Sequence, residues 1–402
     1  MRQATYLDFP LEEYEARLHS LRQLMGATQV GAVFLTMRDN VEYLSGFTTV
    51  SWRVIDKRFW LVVPLDGEPV LIVDAVHEIN ARDTSCVGDV RIWGRRGGSC
   101  VDELVDVFRD LKLKRATVGM ELGLHSIIHM SPSEFVEING RLDQVRFVNV
   151  DELVGRARIV KSPLEIDRLT RACEITCEGL KAGFQSIREG MAEREILNII
   201  VGEWLRLGAD TAYNSTNYGY QSLQADRVGQ MTPSLVERGI QKGDLIQTDG
   251  GAVYKGYTAD IYRNVIVGVE PPSRLREYAE GCEYIHTKTL EAIRPGITSA
   301  QICAVAEKAT REIGFQKYRR ILSDAVSAEK GSMIGHGLGF SVHEFPYICP
   351  SDETPWIEGM CGALEISFGD DELGYIEWED DFLVTQDGCK VLTPLEKRLL
   401  VV

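Results

Sequence analysis

The chain has 402 residues and a mass of 45.0 kDa, enough for two domains that each bury a core. At 44% hydrophobic and 26% charged residues it has the make-up of an ordinary globular protein, neither disordered nor fibrous. Its formal net charge of −16, with no evident basic patch, argues against a nucleic-acid or anionic-membrane partner.

The opening MRQATYLDFPLEEYEARL is acidic and amphipathic from the start, without the apolar core and cleavage site of a secretory signal. No apolar run approaches the roughly 18 residues of a membrane span, and FWLVVPLDGEPVLIV is interrupted by a turn. The nine cysteines are scattered, without the paired spacing of a zinc module. Cys173 and Cys177 lie one helical turn apart and read as buried, reduced thiols. A cytoplasmic protein with no membrane partner is the expectation.

Residues 1–155 alternate strands with helices. Strand character is evident at 31–36, 58–64, 69–73, 89–93 and 117–122, and helical periodicity at 11–25 and 102–113. This is an α/β domain. No strand leads into a glycine fingerprint that opens a helix, so no dinucleotide site is expected. From 156 the text changes. In ARIVKSPLEIDRLTRA, Ser162 is a plausible N-cap, Pro163 the first helical residue and Glu165 the first-turn acid. We therefore expect a second domain over 156–402, opening with helices to about 188 and over 192–207.

Within it, LIQTDGGAVYKGYTADIYRNVIVGV (245–269) reads as a hairpin turning at Lys255-Gly256. Helices over 273–293 and 299–313 follow, then strands over 362–368, 375–385 and 389–393. Two hairpin units separated by a helix pair suggest an internal pseudo-repeat.

The turn at Lys255-Gly256 puts Asp249 across from position 262, with Asp260 its diagonal neighbour on the same face. Two aspartates there need a cation unless they form a solvated, turn-rich face. Glu365 and Glu379 repeat the pattern on consecutive strands. Glu377 shares the parity of Glu379, and Glu377, Asp380 and Asp381 together also read as a charged sheet edge. In GHGLGFSVHE (335–344), glycines on both sides of His336 admit a close backbone approach, and His343 follows seven residues on. Four carboxylates converging with an imidazole would raise one another's pKa values unless two divalent cations balanced them. Such donors suit manganese, cobalt, iron or zinc rather than copper. A metal pair of this kind activates water and clamps a hydrolysed bond.

These segments resemble the pita-bread metallopeptidase family of methionine aminopeptidase, prolidase, aminopeptidase P and their non-peptidase relative creatinase. The resemblance covers nearly the whole chain. RARIVKSPLEIDRLTRA is similar to the opening of the catalytic domain in prolidase-like members. KGDLIQTDGGAVYKGYTADIYRNVIVG matches the two-aspartate hairpin with its spacing of eleven. GHGLGFSVHEFP matches the histidine motif, ALEIS the first glutamate and EDDFLVTQDG the second. The family pattern selects Glu379 over Glu377, because the ligand glutamate sits six residues before Thr385 of the Val-Thr pair.

The resemblance implies an α/β creatinase/prolidase-type N-terminal domain over 1–155. It implies an α+β pita-bread catalytic domain with a curved antiparallel sheet over 156–402. It also implies two metal ions, manganese foremost, with Asp260 and Glu379 bridging, Asp249 on one ion, and His336 and Glu365 on the other. Glu365 would pass a proton to or from an activated hydroxide that attacks an amide C–N bond, and His343 would contact substrate or the tetrahedral intermediate. A homodimer, with part of the N-terminal domain over the partner's site, is the family layout.

Some residues depart from the pattern. Where members carry a further histidine, this chain has Thr232; Tyr262 replaces the Thr of Asp-x-Thr-Arg, and Ile366 the Pro after the first glutamate. These changes surround the substrate. The segment 43–63 is similar to the creatinase-type loop, in which Arg53 would pair with a carboxylate and Trp52 stack on a cation. Read locally, the two are a packed aromatic and a surface charge. Tyr213, Tyr218 and Tyr220 are offered as pocket walls or core. A Xaa-Pro dipeptidase or aminopeptidase P is thus the expected activity, on a short peptide or small molecule. The alternative is a creatinase-like or ectoine-hydrolase-like enzyme, or a metal-dependent lyase of an osmolyte such as dimethylsulfoniopropionate. A non-catalytic binding module is disfavoured by the intact ligand set.

Overall fold

The computed structural model describes all residues except 96, 125, 211–221, 225–238, 319–332 and 371–372. The chain forms two compact units, Met1–Arg158 and Ile159–Val402.

The first unit is built on six strands: β1 (Ala32–Leu35), β2 (Trp60–Pro64), β3 (Val70–Asp74), β4 (Asp89–Trp93), β5 (Thr117–Met120) and β6 (Arg146–Asn149). Their order is β4-β3-β2-β1-β5-β6, parallel at β3–β4, β1–β5 and β5–β6 and antiparallel at the two central pairs. The helices are α1 (Leu11–Ala27), α2 (Arg38–Ser45), α3 (Glu78–Thr84), α4 (Cys100–Asp110), α5 (Pro132–Arg141) and α6 (Asp151–Arg158). The continuous burial of β1, β2 and β3 fits a sheet covered on both faces. Helix α6 runs through position 155, and the change of unit falls at its C-terminal end.

The second unit opens with α7 (Pro163–Ser186) and α8 (Glu193–Arg206). Ser162 and Glu165 close the capping box read from the sequence, with Pro163 at the first helical position. Glu165 also accepts a hydrogen bond from the Tyr257 hydroxyl at 2.7 Å, fastening the helix start to the hairpin. Next come β7 (Ser222–Gln224), β8 (Leu245–Asp249), β9 (Val253–Tyr254), β10 (Tyr257–Thr258) and β11 (Tyr262–Ile266). Helices α9 (Ser273–Ala292) and α10 (Ser299–Glu312) lead to β12 (Gly335–Gly337), β13 (Glu344–Tyr347), β14 (Cys361–Asp370), β15 (Gly374–Val384), β16 (Cys389–Val391) and β17 (Leu400–Val401).

Two sheets result, β17-β11-β8-β7 and β13-β12-β14-β15-β16, with β9–β10 a separate ribbon. All their pairs are antiparallel except β11–β17. A helix pair precedes each sheet. One core joins Ile175, Ile196 and Trp204 to Ile246 and Val265; the other joins Tyr278 and Ile285 to Ile366, Trp378 and Phe382. These cores take one face of the strands and leave the alternate side chains to build a site. All nine cysteines are free thiols, and eight are buried. Among the described residues, no helix is long and apolar enough to cross a membrane.

Candidate metal centre

The site begins with a turn. Lys255 and Gly256 both have positive φ, 49° and 81°, which is the two-residue hairpin connection that matches strand twist. Asp210 holds it, its carboxylate accepting from the Lys255 and Gly256 backbone N–H groups. The register then sets Asp249 opposite Tyr262, as the sequence predicts. Between ribbon and sheet the ladder is interrupted. There the backbones come so close that a Cβ on Gly251 would lie 2.0 Å from the Ala259 carbonyl oxygen. Asp260 sits in this interruption, buried, its N–H donating to Asp381 Oδ2 at 2.9 Å.

The second sheet supplies the rest. Glu365 on β14 stands directly opposite Glu379 on β15. His336 on β12 pairs with Ala363, two residues before Glu365, so its side chain shares the face of that glutamate. The flanking glycines are required: a Cβ on Gly335 would lie 2.2 Å from Ala363 O, and one on Gly337 2.3 Å from Phe345 O. His336 Nδ1 donates to Gly337 O at 3.1 Å. That bond orients the ring so that Nε2 faces the carboxylates.

Nε2 lies 3.2 Å from Glu365 Oε1, 3.7 Å from Asp260 Oδ2 and 4.0 Å from Glu379 Oε1. Burial opposes it, but the Glu365 contact raises the imidazole above its ordinary value; buried Nε2 of His336 and Oδ1 of Asp260 still lack a well-aligned hydrogen bond among the described residues. Three overlapping groups have donor atoms within 4.8 Å of one another. They are Asp249, Asp260 and Glu379; His336, Glu365 and Glu379; and Asp260, His336 and His343. The structure therefore brings all five residues of the expected ligand set together, with His343 beside them.

Converging charge has the expected effect. Burial, then the Glu365 charge, pushes the Asp249 carboxyl up to about 7. Burial and the neighbouring carboxylates raise Asp260 and Glu379 well above the usual range. Such a cluster holds protons when nothing else neutralises it. The two orphaned atoms and this excess of acid fit divalent cations, with oxygen donors outnumbering the single imidazole.

Behind the cluster lies a layer the sequence reading missed. Asp380 and Asp381 are fully buried, not a charged edge. Asp380 faces away from the site, bound by Arg263 and Thr393 Oγ1 and by Lys397 Nζ at 2.7 Å. Arg263 also donates to the carbonyls of Glu379 and Leu395, tying three segments together. Asp381 Oδ2 takes the Asp260 N–H and the Cys173 thiol, and burial lifts its carboxyl to about 8. The signal for this layer was one residue of parity: 379 and 381 share a face, and 380 takes the other.

His343 is exposed at the rim, its ring centroid 4.1 Å from that of His336. The next residue, Glu344, is buried in an ion pair with Lys161 at 3.0 Å and accepts the Ser341 N–H. Trp52 lies in the first unit, packed against Phe47, Phe59 and His129, with its indole N–H on Glu42 Oε1 at 2.7 Å. Its ring is thus engaged within its own unit, and Arg53 is exposed. Tyr213, Tyr218, Tyr220 and Thr232 lie outside the described residues.

A model of metallopeptidase family M24 matches residues 167–386, and one of the creatinase/prolidase N-terminal domain matches residues 17–160. A Xaa-Pro dipeptidase of Pyrococcus furiosus is 27% identical over 386 residues, covering 96% of this chain and 99% of its own. The solved prolidase of Pyrococcus horikoshii has a TM-score of 0.78 at 25% identity, covering 96% of this chain and 99% of its own. An X-Pro aminopeptidase structure from Thermotoga maritima has a TM-score of 0.77 at 25% identity, with the same coverages. The architecture is thus a creatinase-type α/β domain followed by a pita-bread domain.

Proposed function

Since the chain belongs to metallopeptidase family M24 and is a metal-dependent hydrolase, we propose that it is a dinuclear enzyme that cleaves the amide bond of Xaa-Pro dipeptides. The observation that carries this reading is the convergence of four carboxylates on His336, in which buried Asp260 Oδ1 and His336 Nε2 lack a well-aligned hydrogen bond. Asp249, Asp260 and Glu379 would hold one ion, and His336, Glu365 and Glu379 the other. Asp260 and Glu379 belong to groups on both sides, which supports bridging roles. Manganese, cobalt, iron or zinc suits these donors. When bound, such ions polarise the scissile carbonyl and acidify water.

The chain's own groups do the rest. Glu365, half-buried and 3.2 Å from His336, is placed to accept a proton from the attacking water at its carboxylate and return it to the leaving nitrogen. His343, held beside His336, is placed to donate to the oxygen that gains charge. The Asp381 and Gly337 contacts keep Asp260 and His336 aimed inward. Relatives named Xaa-Pro dipeptidase along nearly the full length support the substrate class. A second reading, a small zwitterionic osmolyte as substrate, is favoured by Tyr262, whose large ring stands opposite Asp249 where the family pattern has Thr.

The test is elemental analysis of undialysed protein, with a screen of Xaa-Pro dipeptides in added manganese. Two metals per chain with cleavage support the proposal, and Asp260→Ala should then lose metal and activity together. Two metals without cleavage favour the osmolyte reading. Cleavage that survives Asp260→Ala would refute the assigned centre.

A further inference from the structure

The concave face extends beyond the five grouped residues. Along β15, Ile376 and Trp378 enter the core, so Tyr375, Glu377 and Glu379 share the opposite face. Glu379 stands across from Glu365, and Glu377 across from Ser367, one step further along the same ladder. Tyr262, opposite Asp249, closes on Tyr375 with ring centroids 6.5 Å apart and planes inclined by 41°. Both rings are buried, while Glu377 is half-buried. The Tyr262–Tyr375 contact joins the two sheets on the face that Glu377 shares with Glu379.

We propose that Glu377, walled by Tyr262 and Tyr375, sets specificity by receiving a cationic side chain on the residue whose carbonyl is attacked. The inference rests on the peptidase reading for the identity of that residue. Its basis is reach. Alternate residues on a strand are about 7 Å apart. An α-ammonium stands two bonds from its carbonyl carbon, too near the metal-binding glutamates to span that step. The four-carbon stem of lysine covers it. The rings pack against a charged or an uncharged stem alike, so the Glu377 carboxylate is what separates lysine from an uncharged chain. Tyr262 is one of the departures from the family pattern, so the subsite belongs to this chain in particular.

The experiment uses the full chain loaded with manganese. Lysine and its uncharged isostere norleucine, neither of them cleavable, are titrated by calorimetry. Turnover of Lys-Pro and norleucyl-proline is followed separately. We expect lysine to bind, and Lys-Pro to be processed in kcat/KM, roughly ten- to a hundred-fold better than the isostere. Glu377→Gln should equalise the pair by weakening only the lysine members, and Glu377→Lys should shift preference to glutamate. Equal binding in the native protein, or a lysine preference that survives Glu377→Gln, would overturn the proposal. Selective lysine binding lost in Glu377→Gln, but without turnover of either dipeptide, would uphold the subsite and refute the peptidase reading instead.

Discussion

Removing metal should make the stability of the second unit fall as pH rises, the reverse of the usual acid response. Asp249 and Asp381, at about 7 and about 8, have folded pKa values raised above the ordinary 3.8, chiefly by burial. A raised acid contributes stability that is fully present below its unfolded pKa and lost as pH climbs through the folded value. The informative window opens near pH 6.5. Below it His286, which burial holds down at about 4, acts in the opposite sense. It closes near pH 8, before the buried thiols, raised to about 12 at Cys177 and Cys361, begin to matter. Across that window Asp381 alone is worth about 1.5 kcal/mol. For a unit of this size that lowers Tm by roughly 3–6 °C. Asp249, Asp260 and Glu379 act in the same direction, each raised by burial and by neighbouring carboxylates. Calorimetric scans of chelated protein at several pH values should show the decline, and scans of metal-loaded protein should flatten it, because cations take the place of protons. A Tm of the chelated protein that holds steady or rises between pH 6.5 and 8 would refute the reasoning.

The buried pair of Lys161 and Glu344 predicts that Glu344→Gln costs about 3 kcal/mol in urea unfolding, with part recovered when Lys161→Met is added. A single-variant loss below 1 kcal/mol, the range of exposed pairs, would count against a desolvated bridge. Gly337→Ala, which drives a Cβ to 2.3 Å from Phe345 O, should lower stability by about 2 kcal/mol and weaken metal binding, both read by thermal scans with and without metal. Asp380 is held below the ordinary carboxylate value: burial opposes this, but Arg263, His286 and Lys397 outweigh it. Its contribution is present above pH 3.8 and lost as pH falls through the lowered value, so Asp380→Asn should remove that part of the acid-unfolding slope.

The pairing of the candidate donors was legible because each pair's geometry is local. A two-residue turn at Lys255-Gly256 fixes the register at Asp249 and Tyr262, and strand parity aligns Glu365 with Glu379. Parity could not separate Glu377 from Glu379; the His336 ring does so, standing 4.0 Å from Glu379 Oε1. The supporting layer was not legible. Nothing near Asp380 in sequence announces Arg263 from another sheet, and a run of acids looks like a solvated edge until the fold buries it. Short helices α2, α3, α5 and α6 were missed, each too brief for a clear helical period. Strands β12 and β13 escaped because a glycine-rich stretch with a bulge lacks alternation.

Arg263 has a consequence for how the protein is made. Its guanidinium joins the strand after Asp260 to the backbone of Glu379 and to Leu395, while β17 pairs with β11. Thr393 to Val401 leave the ribosome after every proposed ligand has been translated. A nascent chain can therefore carry all five donors and still lack the segments that clamp them in register. A chain stopped short of Leu395 would lack the carbonyl that holds the Arg263 guanidinium and the strand that pairs with β11, so the register of Asp260 against Glu379 would lose two of its supports.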